Sequence, residues 1–168
     1  EIQRGFCLVV GGEEGNLAYE IATQSELEVY CVEPDAKKVA AAREKLSQAR
    51  LYGHRVTIIE CPLDEIPFSN YFANLVVSDT LITSGKLPVK FEQIARHVKP
   101  LGGVACFGSN KKTQKAILSD LAEAYPEDAR DITEKDDYVV ATRTSLPGSG
   151  DWSHQYGDGG NTWNSKDH

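Results

Sequence analysis

The chain has 168 residues, 40% of them hydrophobic, and a formal net charge of −7, which suits one domain with a real core plus an appendage. No dense Lys/Arg cluster occurs, so the counterion release that drives nucleic-acid binding has no source, and no nucleic-acid partner is expected. No apolar run approaches the roughly 20 residues that span a bilayer, and no signal-peptide pattern opens the chain, so it reads as a soluble piece.

Strand-like and helix-like periods alternate. The runs "GFCLVV" (5–10), "LEVYCVE" (27–33), "RVTIIE" (55–60), "ANLVVS" (73–78) and "GVACFG" (103–108) are short and nearly continuously apolar, as strands buried on both faces should be. Between them, Leu17, Ala18, Ile21 and Ala22 form a first helical stripe, and Val39, Ala42, Leu46 and Ala49 form a second behind an Asp35 cap. Phe91, Ile94, Ala95 and Val98 form a third after Pro88, closed by Pro100, Gly102 and Gly103. A fourth helix is expected over 111–124 behind Asn110, followed by a weak strand near 129–133 and a clear one over 138–143. This reads as five strand-helix units and an antiparallel end pair: a doubly wound, mostly parallel, Rossmann-like α/β sheet spanning 1–143. Cys7, Cys31, Cys61 and Cys106 lie in or at the end of apolar runs without metal-ligand spacing, so they read as buried, reduced thiols, and no metal site is expected.

Ligands of such sheets bind outside the carboxyl ends of the strands, which points to the first turn, "VVGGEEGN" (9–16). A dinucleotide fingerprint G-x-G-x-x-G begun at Gly11 would need glycines where Glu13 and Asn16 stand, and no P-loop Lys follows. A carboxylate held about 4 Å from a phosphate would cost on the order of 4 kcal/mol at an effective dielectric of 20, so the loop suits a cationic ligand. Alternatively, Glu13 and Glu14 only complement the positive end of the following helix.

"VVGGEEG", the acid of "CVEPD", "IIECPLDEIPF", "ANLVVSD" and "HVKPLGG" together resemble the motif series of class I S-adenosylmethionine-dependent methyltransferases over residues 5 to about 143. The resemblance implies that Gly11, Gly12, Glu13 and Gly15 wrap the methionine part of S-adenosylmethionine, whose ammonium and sulfonium are both positive. It implies further that Glu33, with Pro34 beside it, grips the ribose hydroxyls, that the Leu63 backbone N–H or Asp64 meets the adenine, and that Asp79 with Thr80 lines the mouth. The chain departs from the family in placing Glu13 at the middle glycine and Pro62 where an Asp usually stands. "SDTLITSGKLP" lacks the N/D-P-P-Y/F signature of the related nucleic-acid amino-methyltransferases. His54 in a polar turn and His97 read as solvated imidazoles, so no catalytic residue is assigned and the acceptor, small molecule or protein, stays open.

From Thr144 the chain turns polar and glycine-rich, "TSLPGSGDWSHQYGDGGNTWNSKDH", and reads as a tail or linker over 144–168 in which Trp152, Tyr156 and Trp163 are the expected anchors. "DWSHQYGDGGNT" resembles the junction where a bacterial methyltransferase-like domain leads into a β-propeller of the pyrroloquinoline-quinone-dependent type; any quinone would belong to that absent propeller. The start at Glu1 and the lack of methionine fit a fragment or processed chain. Its compartment is cytoplasmic on the methyltransferase reading and the cell envelope or periplasm on the tail resemblance. The alternative to an enzyme is a non-catalytic module that binds the cofactor, or serves as an interaction domain, beside the propeller.

Overall fold

The computed structural model describes residues 2–87, 89–110, 112–126, 130–146 and 148–149. Seven strands form one sheet in the order β3-β2-β1-β4-β5-β7-β6. They are β1 (Arg4–Val10), β2 (Glu26–Glu33), β3 (Val56–Glu60), β4 (Leu75–Val77), β5 (Val104–Gly108), β6 (Arg130–Glu134) and β7 (Tyr138–Arg143). The first five run parallel, β7 pairs antiparallel with β5, and β6 is the outermost strand beyond it.

The nearly continuous apolar runs follow from burial on both faces. Cys7 and Val9 of β1 point to one layer and Leu8 and Val10 to the other, and all four are wholly buried. On the first face lie α1 (Asn16–Gln24) and α2 (Ala36–Gln48), packing Ala18, Ala22, Val39, Ala42 and Leu46 on the strands. On the second face lie α3 (Asp79–Ser84), α4 (Phe91–Ala95) and α5 (Gln114–Ala124), with Leu81, Phe91, Ile94, Ile117 and Leu121 in the core. Asp35 caps α2 as its sequence implies, accepting the N–H of Lys37 at 2.8 Å and of Lys38 at 3.4 Å.

Several expectations need correction. Four strands, not five, are followed by helices, because residues 61–74 between β3 and β4 form a loop. Two prolines interrupt that segment, and it covers the sheet with side chains instead. Phe68 stacks on Phe72 at 4.6 Å between ring centroids, and Tyr30 meets Phe68 edge-on at 5.2 Å. Arg96 ties the loop down through the carbonyls of Ile66 at 2.9 Å and Phe68 at 3.1 Å, and the Asn70 side chain at 3.1 Å. "SDTLITS" is not a plain connection but α3, capped by Ser78 Oγ, which accepts the Leu81 N–H at 3.2 Å. The third stripe is helical only over Phe91–Ala95, and Val98 instead forms a β-bridge with Ala73.

The fourth helix starts at Gln114 because Asn110 Oδ1 accepts the N–H groups of Lys112 and Thr113 and holds a turn ahead of it. His97 is no solvated imidazole: it is wholly buried, edge-on to Phe72, with Nδ1 3.2 Å from the Ser69 carbonyl. All four cysteines are free, Cys7 and Cys31 buried, Cys61 and Cys106 half-buried. Pro88, Ala129, Trp152, Tyr156 and Trp163 lie outside the described residues, and with them the expectation of an anchored tail. Among the described residues no helix is long and apolar enough to cross a membrane.

Candidate functional site

The chain builds β1, β2 and β3 outward in one direction, then returns to lay β4 on the other side of β1, so the crevice at the carboxyl ends of β1 and β4 is the topological switch point. The glycine turn after β1 sits there. The N–H groups of Gly11 and Gly12 both donate to the Val32 carbonyl, at 3.0 and 3.2 Å, which folds the loop over β2. The turn is then closed by the Gly15 N–H on the Gly12 carbonyl at 2.8 Å.

Glycine is required at Gly12 by contact and at Gly11 and Gly15 by conformation. A Cβ on Gly12 would fall 1.8 Å from Cys31 Sγ, and Gly15 is left-handed at φ 77° as the residue before α1, with its Cβ position 3.1 Å from that of Ala42. Glu13 is left-handed too, at φ 48°, a conformation that disfavours a side chain.

Glu33 ends β2 directly beneath this loop and is only 3% exposed. Its Oε2 accepts the Glu13 N–H at 2.9 Å and its Oε1 the Asp35 N–H at 3.1 Å, so one carboxylate joins the glycine loop to the start of α2. The Glu13 side chain does not serve the α1 dipole. Its carboxylate forms an ion pair with Lys38 of α2 and accepts the Thr80 hydroxyl at 2.8 Å. The hydrogen bond from Lys38 is the chief reason the Glu13 carboxyl lies below the usual carboxylate range, and the same contact raises Lys38.

Across the crevice, Thr80 donates its N–H to the Gly11 carbonyl at 3.0 Å, locking α3 to the loop. Asp79 is buried, accepts the Leu17 N–H at 3.4 Å, and burial pushes its carboxyl up. Beyond Glu33 opens a cleft of about 480 Å³, walled by Pro34, Pro62, Leu63 and Asp64 on one side and Val89, Lys90 and Gln93 on the other. A second cleft, of about 420 Å³, lies where α3 faces the ends of β5 and the turn before α5, with Thr83, Ser84, Ser109, Asn110 and Asp137 in its lining.

The sequence profile described as "Methyltransferase domain" matches residues 7–102. The chain belongs to the methyltransferase-domain family. No curated protein matches it in sequence. Solved structures similar to this methyltransferase domain include a Methanococcus maripaludis protein described as a candidate S-adenosyl-L-methionine-dependent methyltransferase. It is 19% identical at TM-score 0.63, over 86% of this chain and 79% of that one. A SAM-dependent methyltransferase from Aquifex aeolicus is 15% identical at TM-score 0.67, over 85% and 84%. The phosphoethanolamine N-methyltransferase 2 of Haemonchus contortus, solved with S-adenosyl-L-methionine, is 21% identical at TM-score 0.58; 79% of this chain aligns, but only 35% of that enzyme.

The methyltransferase domain brings Gly11, Gly12, Glu13, Gly15, Glu33 and Asp79 together at one crevice, with Pro34 and Leu63 at its far end. The Leu63 side chain is buried in the core, and Pro34 is exposed on the cleft wall. His54 stays exposed in the turn before β3, at the opposite end of that strand from the crevice. Lys38 was missed. Its position in the first turn of α2, one turn past the Asp35 cap, was the available signal, but its partner stands 25 positions earlier.

Proposed function

We propose that this methyltransferase domain binds S-adenosylmethionine along the carboxyl ends of β4, β1 and β2 and passes its methyl group to an acceptor that enters from the β4–β5 side. The placement of Glu33 carries the reading. Of about four lone-pair sites on its carboxylate, two are taken by the N–H groups of Glu13 and Asp35, and two remain for a vicinal diol. Pro34 and Pro62, exposed on the cleft wall beside it, offer apolar rings for a purine to pack against, and Leu63 backs them from the core. Asp79 and the acidic turn favour a ligand with an ammonium and a sulfonium over one with phosphates. The residues therefore fit the cofactor in its adenosyl half, while its methionine half competes with the Glu13 side chain for space.

The bound cofactor would supply an electrophilic methyl on a positively charged sulfur. The protein's part is to orient it: Glu33 holds the ribose and Asp79, together with Thr80 and the Gly11–Gly15 turn, borders the reacting end. The second cleft, lined by hydroxyl and amide groups and one carboxylate, Asp137, suits a polar acceptor.

Thermal unfolding with S-adenosylmethionine or S-adenosylhomocysteine tests the reading. Ligand at about 100 times its dissociation constant should add roughly 2.7 kcal/mol of stability, and no shift with either compound at millimolar concentration overturns it. A non-catalytic module is the second reading, favoured by the Lys38–Glu13–Thr80 contacts across the groove. It predicts a thermal shift without release of S-adenosylhomocysteine in the presence of any acceptor tested. The domain boundary at 143, the linker role of 144–168, a following quinone-type propeller and the compartment belong to the same proposal; limited proteolysis that trims the chain to about residue 143 would support the boundary.

A further inference from the structure

We propose that the Glu13 side chain is an internal strap across the cofactor groove, a competitor that the adenosyl ligand must displace before it can seat. The inference rests on the cofactor reading above. Glu13 reaches out from the turn after β1, yet its carboxylate is held by groups on both flanks: the Thr80 hydroxyl, at the start of α3 behind β4, and the Lys38 ammonium, in the first turn of α2 behind β2. In the sheet, β4 and β2 lie on opposite sides of β1. The side chain thus runs across the carboxyl end of β1, along the line a ligand must occupy to touch both Asp79 and Glu33.

The backbone tightens the same strap. Glu13 donates its N–H to Glu33 Oε2, the carboxylate expected to take the ribose, so the loop and the ribose acceptor are drawn together at 2.9 Å. The residue keeps a left-handed φ of 48° although it carries a long side chain, and the two side-chain bonds together with the buried acceptor below hold it there. Lys38 further neutralises the Glu13 carboxylate, one of the two acids of the loop that would otherwise attract a cationic ligand. Glu14, next in the chain, is exposed.

Competition of this kind lowers apparent affinity in proportion to the fraction of time the groove is open; a strap open one-tenth of the time costs about tenfold. Calorimetric titration with S-adenosylhomocysteine on the full chain, for the parent and for Glu13→Gly, Glu13→Gln and Lys38→Met, provides the test, with thermal melts to show that each variant folds. Glu13→Gly should bind about tenfold or more tightly than the parent, since glycine accepts the φ and leaves the groove clear. Glu13→Gln and Lys38→Met should each fall between the two, because each removes the ion pair but leaves the side chain. Binding seen only in the variants also supports the strap. If the parent binds and the variants bind equally or more weakly, Glu13 is a ligand contact and the strap is wrong while the cofactor reading stands. If neither the parent nor any folded variant binds at millimolar ligand, the cofactor reading fails and the strap with it.

Discussion

Glu33 Oε2 accepts the backbone N–H of Glu13 at 2.9 Å, so the acid at the end of β2 is also the anchor of the glycine loop. A carboxylate with two amide partners and 3% exposure does structural work besides any ligand contact. Glu33→Ala should therefore lower the unfolding free energy by roughly 2 kcal/mol, because it strands two N–H groups, and weaken S-adenosylhomocysteine by about 2–3 kcal/mol. Urea unfolding and calorimetric titration measure the two separately. A stable variant with unchanged affinity would remove Glu33 from both roles.

Gly12 and Cys31 form a matched pair. The Cβ of a Gly12→Ala variant would come 1.8 Å from Cys31 Sγ, and the expected cost is about 1–3 kcal/mol for overpacking a closed site. Cys31→Ala removes that sulfur. The double variant should recover most of the loss, and additive losses in the double-mutant cycle would show that the clash is not the cause.

Arg96 makes three hydrogen bonds into the 61–74 loop from one guanidinium, two of them to main-chain carbonyls. We expect Arg96→Ala to destabilise the domain by roughly 2–3 kcal/mol and to speed hydrogen exchange in that loop, with Arg96→Lys intermediate because an ammonium lacks the planar fork. Exchange unaffected in the loop would mean that its aromatic contacts hold it alone.

His97 titrates below its ordinary value, chiefly because burial disfavours the imidazolium, an effect the Ser69 carbonyl partly opposes. With the folded-state value depressed, its contribution to stability is complete above the unfolded value of about 6.5. It is lost as pH falls below that value toward the folded one, because the unfolded chain takes up the proton first. Unfolding free energy measured at pH 7.5 and 5.5 should drop more for the parent than for His97→Gln. Equal drops would assign the pH dependence elsewhere.

The parallel strands, the doubly wound layering and the crevice were legible because the strands read as nearly continuous apolar runs and because Asp35 and the glycines punctuate locally. What was hidden is non-local. The burial of His97 depends on Phe72 and Ser69, contributed by a loop that sequence periodicity leaves blank, and its position beside a polar "VKP" suggested solvent. Similarly, α3 has six residues, too few for a 3.6-residue period to show, and three of them, Thr80, Ile82 and Thr83, are β-branched. The fate of Glu13 could not be read at all, because its partners sit 25 and 67 positions away and converge only when β2 and β4 flank β1.

The outermost strand has a consequence for how the molecule lives among copies of itself. Among the described residues β6 ends the sheet with one side of its backbone ladder unpaired, and such an edge recruits further strands when it is long and greasy. Here it is five residues, Arg130, Asp131, Ile132, Thr133 and Glu134, of which three are charged and only Ile132 packs against the core. A second molecule docking there edge to edge would have to dehydrate three charged side chains and would gain little apolar contact in return. Among the described residues the sheet ends at seven strands, its last one a poor template, and replacing Asp131 or Glu134 with valine would turn a quiet boundary into a sticky one.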